Sequence, residues 1–167
     1  MKDNIENVQD AYQFAIRFAA ERHGANHQKV PGTNLPYLLH LSNVAMELLA
    51  AAGYMKRMDL KLAVQVALLH DTLEDTGTSK SALKNKFGSE VADGVAALTK
   101  KKNKRLTKAD KMIDSLERIK RQPREIWCVK LADRITNLQR PPSTWGLSKR
   151  KAYAVEAKQI LDALRGA

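Results

Sequence analysis

Four titratable side chains directly follow a long apolar run in the segment LLHDTLEDT, residues 68–76. His70 and Asp71 come first, and Glu74 and Asp75 follow one turn later. In a helix, Glu74 lies at i+4 from His70 and at i+3 from Asp71, so the three side chains share a face. An imidazole beside a carboxylate suits a divalent metal ion, and a nearby carboxylate could orient or deprotonate a water molecule that the ion activates. The alternative is a helix that ends in polar residues, with His70 as a hydrogen-bonded core histidine.

Two further segments place polar side chains inside apolar helical patterns. His40 ends the segment LPYLLH, and Asp133 and Asn137 lie four residues apart in VKLADRITNL. A buried polar group without a partner costs about 1–3 kcal/mol, so a shared partner would explain these intrusions. The candidate ligands are two histidines and two carboxylates: His40, His70, Asp71 and Asp133. Such a mixed set suits Mn, Fe or Zn better than Ca, and it leaves positions open for water and substrate.

The pattern of apolar residues predicts helices along the chain and no convincing strand. We expect helices at about 8–23, 37–52, 59–69, 79–86, 89–99, from 107, 123–138 and 148–164. The third is apolar on nearly every side and should lie in the middle of the bundle. Gly53 should end the second helix, and Thr107 with Asp110 should form a capping box. Because no linker divides the 167 residues, we predict one all-α domain, residues 1–167, of about eight helices.

The charge balance favours an anionic partner. The chain has 29 Lys and Arg against 18 Asp and Glu, which gives a net charge of +11. Such a charge favours nucleic acid, anionic lipid or densely phosphorylated small molecules. No apolar segment approaches the roughly 20 residues that cross a bilayer, so we expect no membrane partner. The first ten residues lack the pattern of an export signal and Cys128 is the single cysteine, so we expect the cytoplasm.

The order of four segments carries a resemblance to a known family. LPYLLH, LLHDTLEDT, FGSEVADGVAALTK and VKLADRITNL together resemble the HD-superfamily hydrolase domain of the RelA/SpoT homologues, and specifically the stand-alone bacterial small alarmone hydrolases. The likeness covers about residues 8–165. It implies the HD-type helical fold and removal of the 3′-diphosphate of (p)ppGpp, which leaves GDP or GTP and pyrophosphate. Since the chain ends at Ala167, we expect no separate alarmone synthetase domain.

The resemblance also implies a role for each residue of the site. The four metal ligands of the family, usually to Mn²⁺, match His40, His70, Asp71 and Asp133. The pair that positions or activates the attacking water matches Glu74 and Asp75. The residues that contact the nucleotide match Asn137 and Lys29.

Further substrate contacts follow from charge and from one departure from the family. Lys130 and Arg134 are candidates to neutralise phosphate charge, and pairing with local carboxylates is the equal alternative. Gln28 stands in this chain where the family has an arginine that stacks on guanine. The candidates to replace that arginine are Tyr37, His27 and His23, with plain core packing as the alternative for Tyr37.

A basic run, KKKNKRLTKADK at residues 100–111, has seven Lys and Arg in twelve positions. It could guide a polyphosphate or contact nucleic acid weakly. We favour a solvated loop and first helical turn instead, because single-strand binders usually interleave aromatic residues with such charge.

Two other functions remain open at this point. One is an HD phosphohydrolase that acts on another nucleotide, such as NADPH or a deoxynucleotide. The other is a non-catalytic, basic helical module that binds nucleic acid, and the candidate ligand set argues against it. We expect a monomer or a homodimer that acts on a guanosine polyphosphate, without a nucleic-acid partner.

Overall fold

The computed structural model describes residues 7–55, 57–100, 105, 107–139 and 145–167, which form an all-α bundle. These residues include nine α-helices and one short 3₁₀ helix. The α-helices are α1 (Val8–Ala25), α2 (Leu38–Ala51), α3 (Leu60–Leu69), α4 (Thr72–Asp75), α5 (Lys80–Phe87), α6 (Ser89–Leu98), α7 (Lys108–Lys120), α8 (Arg124–Gln139) and α9 (Leu147–Ala163). The predicted all-α bundle of about eight helices is confirmed, and the additional helix, α4, has four residues.

Helix α3 lies in the centre of the bundle, as its apolar sequence predicts. All eight residues from Leu62 to Leu69 are buried. The helix packs against α1, α2, α6 and α8. Each fully buried leucine or valine side chain contributes about 1.5–3 kcal/mol through the hydrophobic effect. The position of the last turn of α3 is therefore set by contacts on every side.

Local hydrogen bonds fix where several helices begin. The side chain of Asp59 accepts from the backbone N–H of Leu62 and caps α3. Thr107 and Asp110 form the predicted capping box at the start of α7. The prediction for Gly53 is wrong, because α2 ends at Ala51 and Gly53 continues into the 3₁₀ helix Ala52–Tyr54. Gly53 has no positive φ, so the left-handed conformation that a C-terminal glycine supplies is not used there.

The chain between α3 and α4 stays close to helical geometry at the two central residues of the motif. His70 has φ −56° and ψ −32°, and Asp71 has φ −98° and ψ −2°. Helix α3 ends at Leu69, where the sequence predicts the end of the third helix, and α4 begins at Thr72 after His70 and Asp71. Both side chains therefore lie at the end of the buried helix α3.

The loop between α1 and α2 folds back on itself. Lys29 and Pro36 form an isolated antiparallel bridge, and the backbone N–H of Val30 donates to the carbonyl of Leu35 at 3.0 Å. The N–H of Tyr37 donates to the carbonyl of Gln28, also at 3.0 Å. These bonds hold the loop against the start of α2.

Among the helices of the described residues, none combines the length and the low charge that crossing a membrane requires.

Candidate active site

A cavity of about 440 Å³ lies between α2, α3, α4, α7, α8 and α9. Ten of the eleven predicted site residues line it: Tyr37, His40, His70, Asp71, Glu74, Asp75, Lys130, Asp133, Arg134 and Asn137. They come from positions 37 to 137 of the chain, so tertiary folding brings them together. A cavity of this volume is within the range of small-molecule sites.

His70 is oriented by a hydrogen bond at the end of α3. Its Nδ1 lies 2.7 Å from the carbonyl oxygen of Ala67, to which it donates. The opposite nitrogen, Nε2, is buried and makes no well-aligned hydrogen bond, although Oδ2 of Asp71 lies 2.9 Å away. A histidine that donates through one nitrogen can offer the lone pair of the other to a metal ion. His70 therefore has the orientation of a metal ligand.

Three of the four predicted ligands converge. One ligand atom each from His40, His70 and Asp71 can be chosen so that all three lie within 4.8 Å of one another. His40 and His70 are buried, and Asp71 is half-buried. This group is a possible metal site, made of two imidazole nitrogens and one carboxylate oxygen.

Asp133 lies beside this group on α8. Its Oδ1 is 3.4 Å from Nε2 of His40 and 3.9 Å from Nε2 of His70. Its carboxylate is also held by its own helix: Lys130 donates to Oδ2 at 3.1 Å and Asn137 donates to Oδ1 at 2.6 Å. Burial acts to raise the pKa of Asp133, but the charge of Lys130 together with His40 and His70 outweighs it and lowers the pKa, so the carboxyl is ionised. The role of Asp133 as a fourth ligand stays a prediction.

In the metal-free protein, the charged forms of His70, Asp71 and Asp133 stabilise one another. Burial acts to lower the pKa of His70, but Asp71 and Asp133 outweigh it and raise the pKa to about 9. Burial acts to raise the pKa of Asp71, but the charge of His70 lowers it to about 2. The metal-free protein therefore holds a protonated imidazole between two carboxylates. A bound cation would take the place of that proton's charge.

Glu74 and Asp75 lie on α4, at one side of the possible metal site. Oε2 of Glu74 accepts a hydrogen bond from the backbone N–H of Lys100 at 3.1 Å, and Nζ of Lys100 lies 3.8 Å from Oε1. Oδ2 of Asp75 accepts from Nε2 of Gln28 at 2.7 Å. Both carboxylates thus line the cavity with a defined partner.

Lys29 is the exception among the predicted site residues. It is absent from the described residues that line the cavity, and its Nζ donates to Oδ1 of Asn34 within the loop at 3.3 Å. His23 and His27 are also absent from the cavity lining. His23 is 2% exposed, and its ring packs on Tyr37 with the ring centroids 5.1 Å apart. Tyr37 lines the cavity, so it combines packing with access to the site.

Lys130 and Arg134 both line the cavity and both pair locally. Lys130 is bonded to Asp133. Nη1 of Arg134 lies 3.7 Å from Oε2 of Glu156, and its guanidinium lies 3.8 Å from the centroid of the Tyr153 ring. Both side chains therefore pair with local carboxylates, which is the alternative given above. Their role in substrate binding stays a prediction.

The opposite wall of the cavity comes from α7, from α9 and from Trp145 before α9; of this wall the sequence singles out only the basic run 100–111, for which a solvated loop is favoured. Its residues include Lys108, Lys111, Met112, Ser115, Trp145, Lys149, Ala152, Tyr153 and Glu156. Helix α9 has a single buried residue, Ile160, among its seventeen, so its sequence gives no periodic apolar face. Three of the seven basic residues of the run 100–111 line this cavity: Lys100, Lys108 and Lys111. Residues 101–104 and 106 of the run lie outside the described residues.

The residues present fit a divalent metal ion. The fit rests on the buried Nε2 of His70, which makes no well-aligned hydrogen bond, and on the convergence of His40 and Asp71 with it. Imidazole and carboxylate together suit first-row divalent ions. His40, His70 and Asp71 would hold the ion, with Asp133 adjacent.

The fold and the site define a class of protein: the chain belongs to the HD-domain family, whose sequence pattern matches residues 15–166. Within that family, it is 35% identical over 156 residues to the guanosine-3′,5′-bis(diphosphate) 3′-pyrophosphohydrolase MESH1 of Danio rerio, covering 90% of this chain and 82% of that protein. It is 36% identical over 161 residues to the guanosine-3′,5′-bis(diphosphate) 3′-pyrophosphohydrolase of Aquifex aeolicus, covering 94% of this chain and 21% of that longer protein.

The fold is similar to a solved structure described as a metazoan orthologue of SpoT that hydrolyses ppGpp. The TM-score is 0.75 and the sequence identity is 29%, over 93% of this chain and 86% of that one. The predicted resemblance to the hydrolase domain of the RelA/SpoT homologues is confirmed by these relatives.

Proposed function

We propose that this protein is a metal-dependent (p)ppGpp 3′-pyrophosphohydrolase, with a single HD-type domain over residues 1–167. One observation carries the proposal: His40, His70 and Asp71 converge in a cavity that basic residues surround. Relatives with more than 30% identity over most of the chain carry this activity in their names. The proposed metal is Mn²⁺, and the proposed location is the cytoplasm, as a monomer or homodimer.

The proposed reaction is phosphoryl transfer to water. A divalent ion held by His40, His70 and Asp71 would supply an activated water at neutral pH and would draw charge from the phosphoryl oxygens. Both carboxylates of Glu74 and Asp75 line the cavity, where Glu74 would accept the proton of the attacking water and Asp75 would orient that water. The water oxygen bonds to the phosphorus next to the ribose, the bond from phosphorus to O3′ breaks, and O3′ gains a proton. The products are GDP or GTP and pyrophosphate.

Positively charged side chains bind the polyphosphate in this proposal. Phosphoryl transfer depends mainly on positioning and on neutralising charge. Lys130 and Arg134 lie on the metal side of the cavity, and Lys100, Lys108, Lys111 and Lys149 also line it. Asn137 orients Asp133 and lies where it can contact the nucleotide. Lys29 keeps a predicted role only if it turns away from Asn34 when substrate binds.

The test is an assay of the purified protein with ppGpp and Mn²⁺, with the products separated by anion exchange. We expect pyrophosphate and GDP in the wild type. Asp71→Ala should abolish both metal binding and turnover, because it removes a ligand whose carboxylate is tied to His70 and Tyr37. Asp93→Ala is the matched control, since Asp93 is half exposed and pairs with Lys80 on the surface. Turnover in Asp71→Ala equal to that of the control would refute the proposal.

A second substrate class is favoured by one observation. Gln28, at the position of the predicted base-stacking arginine, is bonded to His23 and Asp75. A side chain engaged in this way offers no stacking surface to guanine. NADPH and deoxynucleotides therefore belong in the assay, where release of orthophosphate from NADPH without pyrophosphate from ppGpp would select this alternative.

A further inference from the structure

A glutamine side chain links a buried histidine to a carboxylate of the cavity. Oε1 of Gln28 lies 2.6 Å from Nδ1 of His23, and Nε2 of Gln28 donates to Oδ2 of Asp75 at 2.7 Å. His23 belongs to α1, Gln28 to the loop before α2, and Asp75 to α4. The three residues form a hydrogen-bonded chain that crosses from the core to the cavity, called below the His23–Gln28–Asp75 chain.

The direction of each hydrogen bond in this chain follows from the chemistry of its end. An ionised carboxylate only accepts, so the NH₂ group of Gln28 must face Asp75. The amide oxygen of Gln28 then faces His23, which must carry its proton on Nδ1. Burial acts to lower the pKa of His23 and leaves the imidazole neutral, so a single N–H is available and Nδ1 is where it is used.

The middle residue of the chain is held by its backbone as well. The N–H of Gln28 donates to the carbonyl of His23 at 3.1 Å, and its carbonyl accepts from Tyr37 at 3.0 Å. With both backbone groups bonded and the side chain bonded at both ends, Gln28 has little freedom. Asp75, in contrast, is exposed on the four-residue helix α4. Gln28, which is held at four points, therefore orients the exposed carboxylate of Asp75.

His23 supports the site along a second route. Its ring packs on Tyr37, and the hydroxyl of Tyr37 donates to Asp71. His23 thus contacts Tyr37, which bonds to the proposed metal ligand Asp71. It also bonds to Gln28, which bonds to the proposed catalytic carboxylate of Asp75. Removing a hydrogen bond to a metal ligand from a residue that does not itself bind the metal typically lowers metal affinity or activity about 10- to 100-fold.

We propose that Gln28 is a positioning residue, which holds one oxygen of Asp75 so that the carboxylate keeps the orientation required to assist the attack of water. The inference rests on the proposed function, since it assigns a task to Asp75 in hydrolysis. A charge-assisted hydrogen bond of 2.7 Å to a single oxygen restricts rotation of the carboxylate and leaves the second oxygen for the water or the substrate.

The test is a double-mutant cycle on kcat and KM for ppGpp with Gln28→Ala, Asp75→Ala and the double variant. Gln28→Ala should lower kcat about 10-fold or more with KM nearly unchanged, as for the loss of an outer-shell bond. In the Asp75→Ala background the same change should lower kcat no further, because the residue it positions is gone. Gln28→Glu keeps the size of the side chain but presents a carboxylate to Asp75, so it should not rescue kcat.

A matched control variant in the same loop separates positioning from loop stability. Thr33→Ala removes the hydrogen bonds of Thr33 to Val30 and Leu35 without touching the chain, so kcat should stay at the wild-type value. An equal loss from Gln28→Ala in both backgrounds would overturn the inference. A rise in KM at constant kcat would also overturn it, since Gln28 would then contact the nucleotide directly.

A second readout does not depend on activity. In protein labelled with ¹⁵N-histidine, the nitrogen shifts of His23 should show the Nδ1–H form in the wild type and should change in Gln28→Ala. An Nε2–H form would overturn the inference whatever the activity. If the Nδ1–H form is present but ppGpp releases no pyrophosphate, the proposed function fails, and the cycle is measured with the nucleotide of the assay panel that is hydrolysed.

Discussion

Tyr37 and Asp71 are joined across the cavity, since the hydroxyl of Tyr37 donates a hydrogen bond to Oδ2 of Asp71. The same oxygen lies 2.9 Å from Nε2 of His70. Burial raises the pKa of Tyr37, and the charge of Asp71 raises it further. The phenol therefore keeps its proton and acts as a donor to a proposed metal ligand at all physiological pH values.

We expect Tyr37→Phe to weaken Mn²⁺ binding about 10-fold, because loss of an outer-shell hydrogen bond frees the carboxylate of Asp71 to rotate. Titration calorimetry with Mn²⁺ on metal-free protein measures the change. Tyr54→Phe is the matched control, since Tyr54 is 92% exposed and is not among the described residues that line the cavity. An unchanged Mn²⁺ affinity in Tyr37→Phe would show that Asp71 is oriented by its other contacts alone.

Glu74→Gln should keep Mn²⁺ bound and lose most of the activity. The amide oxygen of glutamine can still accept from the N–H of Lys100, so the structural contact remains while the proton acceptor is lost. Loss of a general base typically lowers kcat about 10²–10⁴-fold. Glu74→Ala should lose at least as much. Equal activity in the wild type and Glu74→Gln would refute the role, and a parallel loss of Mn²⁺ affinity would make Glu74 a ligand instead.

Between about pH 7 and 5, across the ordinary His pKa near 6.5, His23 should lower the stability of the metal-free protein as the pH falls, and His70, whose pKa is raised to about 9, contributes in the opposite direction. Burial lowers the pKa of His23, against the opposing charges of Asp71 and Asp75. As the pH falls, the unfolded chain takes up a proton at His23 that the folded protein does not, so this residue makes the free energy of unfolding decrease. Denaturant titrations in EDTA at several pH values measure this slope. His23→Asn, which keeps a donor for Gln28, should remove the contribution of His23, so the variant should lose less stability than the wild type as the pH falls; an identical slope in both proteins would contradict the assignment.

Gly94→Ala should destabilise the fold at the contact of α6 with α8 and α3. A Cβ at Gly94 would lie 2.6 Å from Cδ1 of Ile126 and 3.2 Å from Cγ2 of Val66. Overpacking costs about 1–3 kcal/mol, and the better helix propensity of alanine returns about 1 kcal/mol. Thermal or urea unfolding should show a net loss.

The partner substitution Ile126→Val tests the cause of that loss. It removes the atom nearest to the new Cβ, so part of the stability lost in Gly94→Ala should return in the double variant. Gly24→Ala is the matched control, because nothing lies within 4 Å of a Cβ there. A stability gain in Gly94→Ala as large as in Gly24→Ala would show that the core adapts without cost.

The helices could be predicted because their signals are local. Thr107 and Asp110 satisfy each other within one turn, and the apolar run that ends at Leu69 leaves no polar face. The end of α2 could not be predicted from Gly53, since a glycine permits a left-handed turn without requiring one. The four-residue helix α4 was not among the predicted helices, because a single turn is too short to show a helical period of apolar residues.

The candidate metal ligands could be predicted from the sequence, whereas the side of α9 that lines the cavity could not. His40 and His70 interrupt buried faces, so their types and positions predict a shared partner. Lys149 and Tyr153 lie on a helix with almost no buried face, and which side of it lines a cavity depends on tertiary packing. The bond from Gln28 to Asp75 spans 47 positions of the chain, a distance over which residue spacing carries no information.

The central position of α3 separates two parts of the molecule that can change independently. Two of the residues that would bind the ion, His70 and Asp71, directly follow α3, whose residues 62–69 are all buried, whereas the opposite wall comes from α7 and from α9, where Ile160 is the one buried residue. Substitutions on those outer helices can redirect which nucleotide is accepted without disturbing the hydrolytic apparatus. Directed evolution of substrate range in this scaffold should therefore start from α7 and α9.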